Sequence, residues 1–195
     1  MPAGEGGSPR ARRPDAQLRN ALQELPLASW EGSAWRMHAA RYGAEDPGGS
    51  YRVSGRYHRG GDHFETEEVF PALYLTTAPE VCLGELQRHL TAAMLPRLNS
   101  YLLTELRVSL GAVLDITLPE KVGLATKELM HDTEYSLTQS IGAEARELGA
   151  EAILVPSASR LGTNLVVFTD RLRPNSILEG ISSRAPRLYV ERTEP

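Results

Sequence analysis

The stretch PALYLTTAPEVCLGELQRHL, residues 71–90, predicts a short strand that runs directly into an amphipathic helix. The strand, 72–75, is an apolar run of sheet-forming residues. Thr77, Pro79 and then Glu80, three residues after Thr77, are typical of a helix start. At about 100° per residue the helix has one apolar arc and one solvent-facing arc. The apolar arc contains Val81, Cys82, Leu83, Leu86 and Leu90, and the solvent arc contains Glu80, Gly84, Gln87 and Arg88.

Glu85 is the anomaly of this helix, because it falls inside the apolar arc, in angle between Val81 and Cys82. Removing an unpaired carboxylate from water is costly. We therefore expect this side chain to be paired, protonated or chemically active. His89, one turn further along the helix, is a candidate partner for it.

Composition favours an ordinary globular domain over a nucleic-acid or membrane protein. The 195 residues are 41% apolar and 24% charged, which suits one domain with a sizeable core. A net charge of −4 offers no basic footprint for nucleic acid. No apolar run approaches the roughly 20 residues of a membrane span, and we expect no secretory signal at the N-terminus.

Cysteine and histidine usage favours the cytoplasm and argues against a metal site. Cys82 is the single cysteine, so no intramolecular disulfide is expected, and its place on the apolar arc suits a small buried residue. The five histidines are scattered, without an HExxH motif or a pair of cysteine ligands.

The rest of the chain predicts an α+β fold in which strands are interspersed among three or four helices. We expect residues 1–13, rich in Gly, Pro, Ser and Arg, to be a disordered tail, and 14–195 to be one domain. Further helices are expected at 14–25, 119–132 and 138–148. Strands are expected at 33–38, 101–110, 112–116, 152–155 and 164–168, with edge strands at 176–181 and 187–191. The acidic segment 62–70 is predicted to be a solvated excursion.

The common nucleotide and hydrolase motifs are absent from this sequence. It has no Walker loop, no GxGxxG after a strand and no GxSxG nucleophile elbow. Polar residues at the ends of elements are the remaining candidates: Arg36, Arg56, Tyr57, Tyr74, Glu85, Ser157 and Asn164. Structural roles stay open for several of them, since Arg36 can pair with an acid, Tyr74 can fill the core and Ser157 can cap a turn.

A series of short motifs, in order along the chain, resembles the RES-domain family, toxins of bacterial toxin–antitoxin pairs named for recurring Arg, Glu and Ser. The motifs are Trp35-Arg36, Gly55-Arg56-Tyr57-His58, Ala72-Leu73-Tyr74-Leu75 with Ala78-Pro79-Glu80 and Glu85, Thr138-Gln139 with Gly142, Val155-Pro156-Ser157-Ala158, and Gly162-x-Asn164-Leu165-Val166. The resemblance covers about 33–169 and leaves 170–195 as a C-terminal extension.

The resemblance implies both a fold and an activity. The fold would be similar to that of ADP-ribosyltransferases, with two small mixed or antiparallel sheets around an NAD cleft and flanking helices. Family members degrade NAD at the nicotinamide–ribose bond by hydrolysis or phosphorolysis, and at least some transfer ADP-ribose to a protein. A cognate antitoxin, usually a helix-turn-helix protein, would block the cleft, and members often form homodimers.

The resemblance also assigns roles by position. The implied catalytic residues are Glu85, Arg36, Tyr74 and Ser157, and the implied NAD-binding residues are Arg36, Arg56, Tyr57, Tyr74, Ser157 and Asn164. Glu85 would hold the ribose and stabilise the charge that develops as nicotinamide leaves. Arg36 would pair with the pyrophosphate, with Arg56 as a second phosphate candidate. Tyr74 would stack on the nicotinamide, and Ser157 would hydrogen-bond to it.

Two departures from the family pattern keep other hypotheses open. Tyr57-His58 stands where the family usually has Trp-Asn, and the acidic segment 62–70 resembles an insertion. The leading hypothesis is an NAD-degrading toxin without a metal. An ADP-ribosyltransferase that modifies a protein is the second hypothesis. A non-catalytic module that binds a nucleotide or an antitoxin is the third, and the change at 57–58 is its best support.

Overall fold

Two long antiparallel strands, β1 (Leu27–Ala39) and β3 (Tyr101–Asp115), form the centre of the fold. The structure is a computed structural model that describes residues 16–89 and 95–186, without the side chains of 88, 89 and 95–97. Pairing of β1 with β3 runs from Leu27 opposite Leu114 to Ala39 opposite Tyr101. The other strands are β2 (Leu73–Thr76), β4 (Ala152–Pro156), β5 (Thr163–Val167) and β6 (Ile177–Arg184). The α-helices are α1 (Ala16–Glu24), α2 (Pro79–His89), α3 (Thr126–Leu129) and α4 (Ser136–Glu147).

The six strands form one mixed sheet that closes on itself. Its order is β1-β2-β5-β4-β3, and β3 pairs again with β1. Along its other edge β3 pairs with β6 and then, near its end, with β4, which is its one parallel neighbour. The predicted α+β class is confirmed. The described strands do not form the expected pair of small sheets, because pairing continues from β1 through β2, β5 and β4 to β3 and back to β1.

The two faces of the sheet carry two separate apolar clusters. Inside the closed sheet, Leu73 and Leu75 of β2 pack with residues such as Leu106 and Leu165. On the outer face, Tyr74 contacts a cluster that the helices α1 and α4 cover. This outer cluster includes Leu18, Leu22, Ile141, Ile153, Val166 and Phe168. Alternation along β2 therefore turns Tyr74 away from the interior that its neighbours fill.

Most predicted elements are present, with bounds shifted by one to a few residues. The strand 72–75 corresponds to β2, the helix after Thr77 to α2, and the helix 138–148 to α4. The strands 152–155, 164–168 and 176–181 correspond to β4, β5 and β6. Strand β1 begins six residues before the predicted 33–38.

Two predictions near the centre of the chain are wrong. The strands 101–110 and 112–116 are one strand, because the N–H groups of Gly111 and Ala112 donate to Glu151 Oε2 and the chain stays extended through the glycine. The helix 119–132 is a 3₁₀ turn, Pro119–Val122, followed by the short α3. Gly123 separates the two because its backbone is left-handed, with φ 74°.

Several predictions fall partly or wholly outside the described residues. These concern the tail 1–13, the strand 187–191, Leu90 of the apolar arc and the side chain of His89 as a partner for Glu85. The predicted helix 14–25 corresponds to α1 from residue 16 onward. Within 16–89 and 95–186, no helix is both long enough and apolar enough to cross a membrane.

Candidate active site

The candidate site lies where the ends of β2, β4 and β5 meet the start of α2. Thr76, the last residue of β2, is opposite Asn164 of β5, which is in turn opposite Val155 of β4. Strand β4 then enters the turn 157–162 that leads into β5. Because α2 begins three residues after β2, its first turns lie beside this turn.

Two glycines allow α2 to pack directly on the turn 157–162. A Cβ on Gly84 would lie 2.7 Å from Leu161 Cδ1 and 3.2 Å from Ser159 Cβ. A Cβ on Gly162 would lie 2.7 Å from Val81 Cγ2 of α2. Gly84 is therefore buried, and its predicted place on the solvent arc of the helix is wrong. The sequence pattern missed this because the turn covers what would otherwise be the exposed side of α2.

Glu85 is held in place by three donors that all reach one carboxylate oxygen. Ser157 Oγ donates to Glu85 Oε1 at 2.5 Å, the Ser159 N–H at 3.2 Å and Asn164 Nδ2 at 3.4 Å. The other oxygen, Oε2, accepts no hydrogen bond from the residues that the structure describes. The expectation that Glu85 is paired is thus met by neutral donors.

Ser157 is fully buried and is fixed by the turn that it begins. Its N–H donates to the Gly162 carbonyl at 2.8 Å, and its carbonyl accepts the Arg160 N–H at 2.9 Å. Arg160 has a left-handed backbone with φ 62°, an uncommon state for a residue other than glycine. Ser157 Oγ also lies 2.7 Å from Ser159 Oγ. The turn thus presents a hydroxyl and an N–H group to the same carboxylate oxygen.

A cleft of about 510 Å³ opens in front of Glu85. Its volume is in the range of small-molecule sites. The main walls come from β2, from α2, from the segment 54–57 and from Tyr101 and Tyr135. The lining residues that bear polar groups are Ser54, Arg56, Tyr57, Tyr74, Thr76, Cys82, Glu85, Tyr101, Tyr135 and Asn164.

Tyr74 is anchored in this cleft by its hydroxyl group. The Tyr57 N–H donates to Tyr74 Oη at 2.8 Å, and His58 Nδ1 lies 3.0 Å from the same oxygen. Burial raises the pKa of the Tyr74 hydroxyl, and that of Tyr57, above the ordinary value. Both tyrosines are therefore neutral at physiological pH.

Comparison with known proteins indicates the same family as the motifs. The family model "RES domain" matches residues 33–185. The chain belongs to the RES-domain family. It is 29% identical, over 91% of its length, to the protein named NAD(+) phosphorylase MbcT of Mycobacterium tuberculosis, and the match covers 95% of that protein. MbcT of Mycobacterium bovis has the same identity and coverage.

A solved structure of the family is also similar to this chain. The crystal structure of the M. tuberculosis MbcT-MbcA toxin–antitoxin complex matches with a TM-score of 0.71 and 28% identity. The match covers 87% of this chain and 92% of the other. The predicted family is thus confirmed by its sequence model and by a solved structure.

Arg56 is the arginine of the RES-domain motifs that lines the cleft. Its Nη1 donates to the carbonyls of Leu129 and His131, at 3.0 and 2.5 Å, and its guanidinium lies 4.7 Å from the centre of the Tyr135 ring. Stacking on an aromatic face leaves the positive charge in place while fixing the plane of the guanidinium. One fixed positive charge therefore borders the cleft.

Arg36 lies on β1 but is not one of the residues that line the cleft. Its Nη1 donates to the carbonyls of Ala44 and Asp46, at 2.6 and 3.0 Å. Burial lowers the pKa of its guanidinium, while Asp46 and Glu45 oppose that change. In the described structure this arginine holds the loop after β1 through these two hydrogen bonds.

Six of the seven candidates converge in or beside the cleft. Ser157 and Asn164 each donate to Glu85, and Tyr74, Tyr57 and Arg56 also line the cleft. Asn164 Oδ1 is buried without a partner among the described residues, and the same is true of Tyr57 Oη. Both atoms lie in residues that line the cleft.

Sequence reasoning missed Tyr101, Tyr135 and Ser159. Tyr101 begins β3 and Tyr135 immediately precedes α4, and neither belongs to a recognisable motif. Ser159 acts through its backbone N–H, a group that no residue type reveals. The pair Ser157 and Ser159 flanking an alanine after a strand was the available signal for this residue.

Cys82 is buried at the cleft wall, and burial raises the pKa of its thiol to about 11. It is therefore a neutral thiol at physiological pH, as its predicted role of small buried residue requires. Among the described residues, no cluster of three or more His, Cys, Asp or Glu could hold a metal ion.

Proposed function

We propose that this chain is a toxin-type enzyme that degrades NAD by cleaving its nicotinamide–ribose bond, with inorganic phosphate as the acceptor. The observation that carries the proposal is Glu85, fixed through Oε1 at the cleft while Oε2 is left without a donor among the described residues. Membership of the RES-domain family and the relatives named NAD(+) phosphorylase MbcT support NAD as the substrate and phosphate as the acceptor.

The reaction requires little acid–base chemistry from the protein. The bond between the ribose anomeric carbon and the positively charged pyridinium nitrogen breaks, and its electron pair neutralises the ring. Nicotinamide therefore leaves without needing a proton, and an oxygen of phosphate forms the new bond to the anomeric carbon. Because positive charge develops on the ribose as the bond breaks, a fixed carboxylate lowers the energy of the transition state. One carboxylate, Glu85, suffices for this step.

The neighbours of Glu85 keep that carboxylate oriented. Ser157 is fully buried and donates to Glu85, so its proposed role is to position the carboxylate, in place of the expected contact with nicotinamide. Tyr74, which also lines the cleft, would pack on the nicotinamide ring. Asn164 would offer its unpartnered Oδ1 to a hydroxyl or amide donor of NAD.

Arg56 is the better-supported candidate for the phosphate groups of NAD, because it lines the cleft and Arg36 does not. It would bind with a nitrogen other than Nη1, which donates to two backbone carbonyls. Tyr57 would contribute the neighbouring wall. Arg36 would reach the pyrophosphate only with a guanidinium nitrogen other than Nη1, which is bonded to the loop after β1.

We also propose an antitoxin partner that closes this cleft, by analogy with the MbcT-MbcA complex. A helix-turn-helix antitoxin, a homodimer of this chain and an ADP-ribosyltransferase-like ancestry of the fold are finer proposals drawn from the family. Cytoplasmic action follows from the substrate, because intracellular NAD is what such an enzyme would consume.

The test is to incubate the purified protein with NAD, with and without inorganic phosphate, and to separate the products by chromatography. Phosphate-dependent release of nicotinamide with ADP-ribose 1-phosphate is the expected result. Free ADP-ribose in phosphate-free buffer would make water the acceptor instead. Label moving from NAD to a protein band would favour the ADP-ribosyltransferase hypothesis. NAD left intact under all of these conditions would refute the proposal.

A further inference from the structure

His58 follows Tyr57 in the segment beside the cleft, and both nitrogens of its ring lie at hydrogen-bond distance from a partner. Nε2 lies 2.9 Å from the Val53 carbonyl oxygen, and Nδ1 lies 3.0 Å from Tyr74 Oη. The ring is 4% exposed and meets the Tyr74 ring edge to face, with centres 5.6 Å apart. His58 does not line the cleft, whereas Tyr74 does.

These contacts determine where the protons of the network lie. A carbonyl oxygen can only accept, so Nε2 must carry the proton of a neutral ring. Nδ1 is then an acceptor, and the hydroxyl of Tyr74 donates to it. The Tyr57 N–H completes the chain by donating to Tyr74 Oη at 2.8 Å. The order of donation is Tyr57 N–H to Tyr74, Tyr74 O–H to His58, and His58 Nε2–H to Val53.

Gly55 makes room for this arrangement. A Cβ at Gly55 would lie 2.5 Å from His58 Cε1 and 2.7 Å from both His58 Nδ1 and Tyr74 Oη. The Gly55 N–H also donates to the His58 carbonyl at 3.3 Å, and Gln139 Nε2 donates to the Gly55 carbonyl at 3.0 Å. The hydrogen bond between His58 and Tyr74 therefore requires a glycine at position 55, because a Cβ there would collide with both side chains.

We propose that His58, as its neutral Nε2–H tautomer, is a positioning residue that fixes Tyr74 in the cleft, and that its protonation reverses their hydrogen bond and weakens NAD binding in acid. The effect on NAD depends on the proposed function. When His58 is protonated, Nδ1 becomes a donor, so the Tyr74 hydroxyl loses its acceptor. Tyr74 Oη then faces two donors, and its own proton has no acceptor among the contacts described.

The surroundings of His58 favour the neutral ring at physiological pH. Burial lowers the pKa of His58 below its ordinary value near 6.5, and the carbonyls of Val53 and Ser50 and the carboxylate of Asp62 oppose that change. The two arginines nearest to His58 in the sequence make contacts with other residues. Arg56 stacks on Tyr135, and Arg59 pairs with Glu68 and lies over Phe64. Protonation of His58 therefore requires a lower pH than protonation of an exposed histidine.

The experiment compares His58→Asn, His58→Gln and His58→Ala with the wild-type protein across pH 5 to 8. Asparagine places its side-chain oxygen at the level of Nδ1, so His58→Asn is expected to keep the Tyr74 bond and to retain most of kcat/KM at neutral pH. Glutamine reaches the level of Nε2 and loses the Tyr74 bond. We expect His58→Ala and His58→Gln to raise KM for NAD about tenfold, the loss of one hydrogen bond, with a smaller change in kcat.

The decisive readout is the acid side of the pH profile. The wild-type protein is expected to lose NAD affinity as the pH falls through the His58 pKa, and His58→Asn is expected to lack that step. Groups other than His58 are common to both proteins, so the difference between the two profiles isolates His58. In a Tyr74→Phe background the profiles should coincide, and the effects of His58→Ala and Tyr74→Phe should not add.

Further measurements test the proposal, and the first of them does not depend on enzymatic activity. Nitrogen NMR of the imidazole should show the Nε2–H tautomer at neutral pH, and a Nδ1–H tautomer would overturn the proposal. An unchanged acid step in His58→Asn, or additive effects with Tyr74→Phe, would also overturn it. If the wild-type protein leaves NAD intact, the proposed function fails, and NAD affinity by calorimetry then replaces kcat/KM in the same comparison.

Discussion

Glu85 and Glu151 both collect hydrogen-bond donors, yet their surroundings differ in a way that separates chemistry from architecture. Glu151 is fully buried and both of its oxygens are bonded, Oε2 to the N–H groups of Gly111 and Ala112 and Oε1 to the Arg173 N–H and the Ser176 hydroxyl. Glu85 lines the cleft, and its described donors all reach Oε1.

The difference lies in how much of each carboxylate remains unused. A carboxylate whose two oxygens are both bonded joins segments of the chain, here β3 and the segment that leads into β6. A carboxylate held through one oxygen is fixed in direction while the other oxygen stays available to a ligand. We therefore expect Glu151 to control stability and Glu85 to control activity, and the following experiments test that division.

Glu85→Gln is expected to have the largest effect, a fall in kcat of about 10³-fold for NAD cleavage. The amide keeps an acceptor for Ser157 and the Ser159 N–H but carries no negative charge to stabilise the ribose. The measurement is nicotinamide release in phosphate buffer. Because the hydrogen bonds are largely kept, the free energy of unfolding should change by less than about 1 kcal/mol. An active variant would mean that the charge of Glu85 is not needed.

Glu151→Ala should do the opposite, with a loss of roughly 3 kcal/mol in the free energy of unfolding. The substitution removes the acceptor of the buried Ala112 N–H and of the partly buried N–H groups of Gly111 and Arg173. Urea denaturation measures the loss, and the folded fraction should retain its kcat. The matched control is Glu179→Ala, which removes an exposed ion pair with Arg107 and should cost less than about 1 kcal/mol. Equal losses in the two variants would contradict the assignment of Glu151.

The two glutamates also show how far the sequence alone could lead. Glu85 was identifiable because helical periodicity places it among apolar residues, where an acid is out of place. Glu151 follows Gly149 and Ala150 outside any periodic element, so its burial had no signal in the sequence. Its function in the fold depends on Gly111, 40 residues earlier, where the sequence pattern wrongly predicts a break between two strands.

The sequence names candidate site residues but says less about their contacts. The motifs name Glu85, Ser157 and Asn164, and in the structure Ser157 and Asn164 both donate to Glu85. Which partner Ser157 would bond could not be predicted, since that depends on how closely α2 approaches the turn 157–162. Gly84 allows this close approach because it has no side chain. The helical pattern wrongly predicts that this glycine faces solvent.

Ser157→Ala should lower kcat by about tenfold, because Glu85 Oε1 loses one of three donors and its orientation loosens. The Ser157 N–H still donates to Gly162, so the turn itself is retained. The matched variant is Ser159→Ala, which removes a hydroxyl that reaches Ser157 while keeping the N–H that reaches Glu85. We expect its kcat to fall by no more than about threefold. A larger loss of kcat for Ser159→Ala than for Ser157→Ala would show that the important hydroxyl is that of Ser159, and would contradict this assignment.

The smallest effect concerns the acid dependence of stability. Burial alone would raise the pKa of Glu151, but the donors from Ser176, Arg173, Gly111 and Ala112 outweigh it and hold the pKa below its ordinary value of 4.5. The folded state therefore favours the carboxylate. Its contribution to stability is complete above the pKa of the unfolded chain and is lost as the pH falls through the folded pKa.

Between pH 5 and 3 the wild-type protein should consequently lose stability more steeply than Glu151→Gln, which has nothing to titrate at this position. The measurement is urea denaturation at closely spaced pH values, and the slope of stability against pH is compared rather than its absolute value. The other carboxylates titrate equally in both proteins, so they cancel in the difference. Parallel slopes would show that Glu151 binds its proton equally in the folded and unfolded chain, and that its four donors position the backbone without favouring the charge.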